Sequence, residues 1–168
     1  RDRHPFFLYV PLTQVHHPAL PHPDFAGASG NTAFADCMIE VDHRTGQMLD
    51  ALDAAGLADD TLVVWASDNG PVLIPSFGPQ ADSGPFRGFL GSAYEGQLRV
   101  PCIIRWPGVV APSMVSDAIV SILDFSATFD ACPTTAPSTR STRAHSSAAR
   151  PLRRASTWPA SSVTRWRR

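Results

Sequence analysis

The strongest constraint on the fold is a long amphipathic helix pattern between two short apolar runs. From about Asn31 to Ala55, apolar positions recur at spacings of three and four, and Gly56 follows them. This spacing predicts one helix closed by a left-handed glycine, with Leu57 folding back behind it. The flanking runs, PFFLYVP at 5–11 and TLVVWAS at 61–67, are typical of buried strands. Strand, helix and strand together predict a βαβ unit with a parallel sheet.

The rest of the first 132 residues continues this alternation. The loop at 12–30 is rich in proline and histidine, and residues 71–99 are rich in glycine and proline, so neither is expected to form regular structure. VPCIIRWPG, at 100–108, predicts a third strand that ends at Pro-Gly, and DAIVSILDFSATF, at 117–129, predicts a strand or a short helix. The predicted fold class is α/β.

The last 36 residues have a different composition. From position 133 onward, 31 residues are Ala, Arg, Pro, Ser or Thr. This segment carries eight arginines and no acid, a charge of +8, whereas residues 1–132 sum to −9. Because such a segment cannot bury enough apolar surface to offset its ordering entropy, we expect residues 133–168 to be a disordered tail.

Composition excludes few classes of function. No apolar run approaches the roughly 18 residues that a membrane helix needs, so no membrane partner is expected. Three cysteines, at 37, 102 and 132, lack the spacing of a disulfide framework or a zinc site.

Polar side chains follow the first two predicted strands. His16 and His17 come after the first strand, and Asp68 and Asn69 come directly after the second. Parallel strands would bring these ends to one edge of the sheet, where carboxylate and amide oxygens suit Ca²⁺ or Mg²⁺ and an imidazole can move a proton. Taken alone, Asp-Asn-Gly favours a plain turn, and histidines in a proline-rich loop are commonly just solvated. Both interpretations stay open on these residues.

Three charged residues of the 71–99 region have a structural explanation. Arg87, Glu95 and Arg99 are expected to hold this long loop through hydrogen bonds or ion pairs.

Four segments in the same order resemble one protein family. They are PFFLYVPLTQVHHP, VDHRTGQMLDALDAAGLADDTLVVWASDNG, GPFRGFLGSAYEGQLRVPCIIRWPG and VSDAIVSILDFSATF. Together they resemble the latter half of the catalytic domain of sulfatases of the arylsulfatase type, in the alkaline-phosphatase-like superfamily. The resemblance implies a partial catalytic domain at 1–132, with a mostly parallel sheet and helices on its faces, followed by the tail at 133–168.

The resemblance also implies roles for individual residues. Asp68 and Asn69 match the family's metal-binding pair and would bind the divalent cation, usually Ca²⁺. His16 matches a catalytic histidine that contacts the sulfate and helps protonate the leaving group. The implied partner is a small-molecule sulfate ester. Leu90 stands where many sulfatases carry a lysine that contacts the sulfate, which implies a less cationic pocket.

Two parts of the family's active site, which lie upstream in the family, are not found before FFLYV in this sequence. The family's nucleophile is a formylglycine made from the Cys or Ser of an upstream Cys/Ser-X-Pro/Ala-X-Arg motif, and none of the three cysteines has arginine four residues on. No Asp-Asp pair precedes FFLYV to complete the metal site. We therefore expect the isolated chain to be inactive.

Several alternatives remain at this stage. A phosphonate or phosphodiester hydrolase of the same superfamily uses much the same metal loop. The change of composition near Asp130 is what a reading-frame shift in a GC-rich gene would produce, and a natural basic tail is the other explanation. Such a tail could bind nucleic acid or an acidic partner through phosphate contacts, although no nucleic-acid-binding motif accompanies it.

The composition of the tail yields a prediction for limited proteolysis. Trypsin should remove residues from about Pro133 onward under native conditions, since an unpacked segment offers its arginines to the protease. Mass spectrometry of the digest measures this. Protection of Arg150, Arg153 and Arg154 would contradict the expected disorder.

Overall fold

The computed structural model describes residues 4–72 and 81–131, and the backbone of residues 164–166. The helices are α1 (Ala33–Ala54), α2 (Glu95–Leu98) and α3 (Ile122–Asp130). The strands are β1 (Val63–Ala66), β2 (Cys102–Arg105), β3 (Val115–Ser116) and β4 (Thr164–Trp166). Single turns of 3₁₀ helix lie at Pro23–Phe25 and Ala58–Asp60. Helices alternate with a small sheet, so the α/β class is confirmed.

Helix α1 forms where the apolar spacing predicts it, and both of its ends are capped. At the start, Thr32 Oγ1 accepts a hydrogen bond from the Ala35 N–H at 3.2 Å. At the end, Gly56 has a φ of +66° and its N–H bonds the Asp53 carbonyl at 3.0 Å. The Leu57 N–H reaches back to the Leu52 carbonyl at 3.0 Å, which completes a Schellman motif. The predicted glycine closure is confirmed.

The buried face of α1 is narrower than the predicted stripe. Cys37, Val41, Thr45 and Leu49 follow one another at four-residue spacing and are all buried. Met38 belongs to the predicted stripe but is 41% exposed. The seam therefore follows the i, i+4 row of the helix, which places Met38 at its margin.

The sheet is mixed and not mostly parallel. The strand order is β1-β2-β4-β3, with β1 and β4 both antiparallel to β2, and only β3 and β4 parallel. Val64 lies opposite Ile104 and Trp65 opposite Ile103. The predicted parallel neighbour of β1 was the run at 5–11. Because that run forms no strand here, β1 pairs instead with the returning chain at 102–105.

The predicted strand at 5–11 is wrong in this structure. Residues 4–12 have no regular structure, and their backbone makes no hydrogen bond within the described part of the chain. Phe7, Leu8 and Tyr9 are 76%, 71% and 76% exposed. An apolar run predicts burial, but a strand also requires a neighbouring strand whose N–H and C=O groups face it. Residues 5–11 are apolar, but no neighbouring strand faces them in the described part of the chain.

The segment at 117–129 resolves into the helix α3. Ser121 caps it, and the Asp124 carboxylate accepts from the Ser121 N–H at 2.7 Å, which makes a capping box. Because Ser121 and Asp124 form this capping box, the segment folds as a helix and not as a strand. Phe129 of α3 contacts the ring of Phe7, with centroids 5.7 Å apart.

Most of the predicted tail lies outside the described residues. The exception is β4, whose backbone pairs with both β2 and β3. These three residues depart from the predicted disorder, because backbone pairing does not depend on an apolar composition. For residues 133–163 and 167–168 disorder stays a prediction. Among the helices described, none has both the length and the apolar character needed to cross a bilayer.

The cap of α1 generates a stability prediction. Gly56→Ala should lower the free energy of unfolding by about 1 kcal/mol, because an L side chain is strained at positive φ although nothing lies within 4 Å of the added Cβ. Gly56→Asn, whose side chain tolerates the left-handed region, should lose less. Thermal unfolding of both variants measures the difference. Equal losses would show that crowding, and not φ, sets the cost.

Candidate active site

The candidate metal residues lie in a turn directly after β1. Four hydrogen bonds shape this turn, 67–70. Ser67 Oγ donates to the Asn69 carbonyl at 3.0 Å, and Asn69 Nδ2 donates to the Gly70 carbonyl at 2.7 Å. The Ser67 N–H bonds the Pro101 carbonyl at 3.2 Å, and the Gly70 N–H bonds the Gln97 carbonyl at 2.8 Å. The turn is thus tied to the chain that returns before β2.

Two oxygen groups of this turn, which these hydrogen bonds do not use, are available as metal ligands. The Asp68 side chain is exposed, and its carboxylate has no hydrogen-bond or ion-pair partner within residues 4–72 and 81–131. Because Asn69 uses its Nδ2 to bond Gly70, its Oδ1 is left as a free acceptor in the same part of the chain. A carboxylate and an amide oxygen on adjacent residues are ligands that Ca²⁺ accepts. The turn therefore fits part of a cation site.

The described residues do not complete such a site. Within them, no group of three or more His, Cys, Asp or Glu side chains is arranged to hold a metal ion. Ca²⁺ takes six to eight oxygen ligands. Asp68 and Asn69 would supply a minority of these.

The candidate catalytic histidine is exposed and oriented by its own loop. His16 Nδ1 lies 2.7 Å from the His17 carbonyl, and its N–H bonds the Thr13 carbonyl at 3.1 Å. A carbonyl only accepts, so Nδ1 carries the proton and Nε2 is the nitrogen left for proton exchange. No hydrogen bond or ion pair joins His16 to Asp68 or Asn69 within the described residues. The structure places the predicted site residues in separate loops.

Two buried carboxylates of α1 anchor the end of the histidine loop. Asp36 accepts from the Gly27 N–H at 2.8 Å, the Ser29 N–H at 2.8 Å and Ser29 Oγ at 2.6 Å. Glu40, one turn further on, accepts from the His22 N–H at 2.9 Å. The bonds from the Ser29 hydroxyl and from the two backbone N–H groups hold the pKa of Asp36 below its usual value.

Sequence reasoning missed Asp36 and Glu40. They stand four residues apart on the face of α1 that also buries Cys37 and Val41. Two acids on the apolar face of a helix were the signal that could have found them, because buried carboxylates require hydrogen-bond donors.

A third buried charge links α1 to β2. The Arg105 side chain is 7% exposed, and its Nη2 lies 3.4 Å from Asp53 Oδ1. Its Nε and Nη1 are buried and have no hydrogen-bond partner among the described residues. Sequence reasoning missed this residue too, because the strand pattern gives no sign that an arginine side chain is buried.

The loop beside the turn is held by its charged and aromatic residues. Arg99 pairs with Glu95 at 3.0 Å and covers the ring of Phe86 at 4.6 Å, in agreement with the predicted structural role. Arg87 lies over the ring of Tyr94 at 4.1 Å. The same loop reaches the metal turn, since the Leu90 N–H bonds the Pro71 carbonyl at 2.8 Å.

The described cysteines are poor nucleophiles. Burial raises the pKa of the Cys37 thiol, and the nearby carboxylates of Glu40 and Asp36 raise it further. Burial also raises the pKa of Cys102. Both thiols stay protonated at neutral pH, whereas attack requires the thiolate.

Comparison with known proteins gives one consistent result. The family model described as Sulfatase matches residues 1–132. N-acetylgalactosamine-6-O-sulfatase of Bacteroides thetaiotaomicron is 38% identical, over 76% of this chain and 26% of that protein. Steryl-sulfatase of Mus musculus is 38% identical, over 71% of this chain and 20% of its own length. Human arylsulfatase A is 36% identical, over 74% of this chain and 24% of its own length.

A solved structure is similar as well. It comes from work on the metabolism of multiple glycosaminoglycans by Bacteroides thetaiotaomicron. It is 38% identical, covers 56% of this chain and 21% of its own, and superposes with a TM-score of 0.49. The chain spans about a fifth to a quarter of the length of the relatives it matches.

The environment of Asp36 predicts a pH-dependent stability. A carboxyl whose pKa is lowered by folding stabilises the fold above its unfolded value of 3.8, and this contribution is lost as pH falls through the folded value. Wild type should therefore be more stable than Asp36→Asn at pH 7, and the difference should shrink below about pH 4. Thermal unfolding of both proteins between pH 7 and pH 3 measures it. A difference that is independent of pH would contradict the role of the carboxylate.

Proposed function

The chain belongs to the sulfatase family, and on this premise we propose that it is part of an enzyme that hydrolyses sulfate esters. The reaction is assigned to a complete polypeptide, because the chain spans only 20–26% of the relatives named above. The observation that carries the proposal is the turn after β1, whose Asp68 carboxylate and Asn69 Oδ1 have no partner among residues 4–72 and 81–131.

Asp68 and Asn69 are proposed to hold a divalent cation, Ca²⁺ by analogy with the family. A bound cation neutralises charge on the sulfate oxygens and on the transition state. The hydrogen bonds within the turn fix the backbone on both sides of these residues, so the two oxygens are presented without loss of an existing interaction. The cation would need further ligands, and the chain alone should bind Ca²⁺ weakly, in about the millimolar range typical of poorly liganded sites.

His16 is proposed as the group that assists departure of the alcohol. With Nδ1–H bound to the His17 carbonyl, Nε2 can carry a second proton and deliver it to the leaving oxygen. The imidazole is exposed, as a group that meets an external substrate must be.

No residue of this chain matches the family's nucleophile in both motif and position. Residues 1–168 contain no Cys-X-Pro/Ala-X-Arg motif, and both described thiols are held protonated. The spacing Ser-X-Pro/Ala-X-Arg occurs at 83–87 and 146–150, but both stretches follow the metal turn, whereas the family's motif precedes it. The Ser83 hydroxyl donates to the Phe86 carbonyl at 2.7 Å. Groups that act as a unit in catalysis are strongly non-additive, so the 168-residue chain should not hydrolyse an aryl sulfate above background.

The substrate is proposed only as a small-molecule sulfate ester. The relatives named above are all sulfatases, which favours sulfate over the phosphonate and phosphodiester substrates of the wider superfamily. Their names differ in the alcohol, from a sugar to a sterol, and nothing in the described residues selects between these.

The proposal predicts the kinetics of two variants. In a complete enzyme that contains this segment, Asp68→Ala and His16→Ala should each lower kcat by on the order of 10²-fold or more, because each removes a group that acts in the transition state. Steady-state hydrolysis of an aryl sulfate in saturating Ca²⁺ measures the loss.

Matched controls are available in the same segment. Asp117 and His4 are exposed and have no hydrogen-bond or ion-pair partner among the described residues. Asp117→Ala and His4→Ala should leave kcat unchanged. Full activity of the His16→Ala enzyme, or robust turnover by the 168-residue chain, would defeat the roles assigned here.

A further inference from the structure

We propose that Gly96 is a positioning residue for the Asp68–Asn69 turn, acting through direct backbone-to-backbone packing against Gly70. The inference rests on the proposed function for its purpose, since it concerns the turn assigned to the cation. The contact itself does not depend on that function.

The contact between Gly70 and Gly96 leaves no room for a side chain. Gly70 is buried, and a Cβ built on it would overlap the Gly96 carbonyl oxygen. That Cβ would also lie 2.8 Å from the Gly96 carbonyl carbon and 2.9 Å from Gln97 Cα, closer than real Cβ contacts. The neighbouring atoms are all backbone, so no rotamer change can relieve the overlap. The turn can approach this closely only with glycine at position 70.

Gly96 is enclosed from its other side in the same way. A Cβ on Gly96 would overlap the Gly88 carbonyl oxygen and lie 2.8 Å from the Arg87 carbonyl oxygen. The Gly96 N–H donates to that Arg87 carbonyl at 2.8 Å. Gly96 is therefore packed between the turn 67–70 and the segment 87–88.

Space, and not backbone conformation, requires these glycines. Gly56, Gly88 and Gly91 have positive φ values, whereas Gly70 and Gly96 do not. Alanine could adopt their φ without strain. Alanine is excluded at these positions only because the segments at 67–70, 87–88 and 96–97 approach so closely.

The packing determines where the two free oxygens lie. The Gly70 N–H bonds the Gln97 carbonyl at 2.8 Å, and the Gly70 carbonyl accepts from Asn69 Nδ2 at 2.7 Å. The Gly70 carbonyl thus orients the Asn69 amide, and the Gly96 backbone packs against Gly70. A methyl group at position 96 would meet residues 87–88. A shift of residue 96 away from that segment would carry its carbonyl into Gly70, displace the turn and release the Asn69 Oδ1 from its position beside Asp68.

Amide hydrogen exchange of the 168-residue chain, followed by NMR, tests the contact without catalysis. In wild type, the Gly70 N–H should exchange more slowly than the Asp68 N–H, which has no backbone acceptor in the described residues. In Gly96→Ala, the Gly70 N–H should lose at least tenfold in protection, while the Thr45 N–H inside α1 keeps its own.

Gly91→Ala is the matched control. Gly91 lies in the same loop, and nothing lies within 4 Å of a Cβ added there. The variant strains the loop at a φ of +93° but leaves the packing of Gly96 intact, so Gly70 should stay protected. Unchanged protection in Gly96→Ala, or equal loss in both variants, would overturn the proposal.

A second readout separates this inference from the proposed function. Addition of Ca²⁺ alone should shift the Asn69 side-chain amide signals of wild type and of Gly91→Ala, but not of Gly96→Ala. If the exchange results hold and wild type shows no response to Ca²⁺, the packing role stands and the cation assignment fails. Loss of Thr45 protection would show that Gly96→Ala unfolds. In that case the exchange rate of the Gly70 N–H in wild type tests the proposal. Rapid exchange would overturn it, and slow exchange would support it.

Discussion

The buried carboxylate of Asp36 is the interaction on which the arrangement of the N-terminal half depends. A charge in that position is costly unless donors surround it, and the segment at 27–29 provides three. One turn later on α1, the Glu40 carboxylate likewise accepts a hydrogen bond from the His22 N–H. The long proline-rich segment, which has little regular structure of its own, therefore takes its course from helix α1.

The sequence was sufficient for features that are decided locally. The apolar spacing of α1 and the glycine at 56 lie within one stretch of chain, and both appear as expected. The run at 5–11 shows the limit of this approach. Its composition is that of a strand, but a strand exists only when a second segment pairs with it, and pairing is a property of distant residues. The mixed sheet follows from the same cause, because β1 takes the neighbour that the chain brings to it.

The reactive residues of the candidate site could be predicted from the sequence, whereas its supporting residues could not. Asp68, Asn69 and His16 could be nominated from their side chains, since their chemistry is visible in the sequence. Gly96 could not, because its contribution is the absence of a side chain at a place where three segments meet. Asp36 and Glu40 stand out as acids on an apolar face, but most of their partners are backbone N–H groups, which every residue carries, so the sequence does not show what they bind. The supporting structure of a site is thus harder to predict than its reactive groups.

The exposed segment at 6–10 affects how this polypeptide behaves in concentrated solution. Five consecutive large apolar side chains, each at least 45% exposed, are carried on a backbone whose N–H and C=O groups are unpaired within the described residues. Such a stretch is a template for another chain of the same kind, and neighbouring molecules can add to it strand by strand. Recovery of the soluble polypeptide from expression should therefore fall as its concentration rises, and chaperones should improve it.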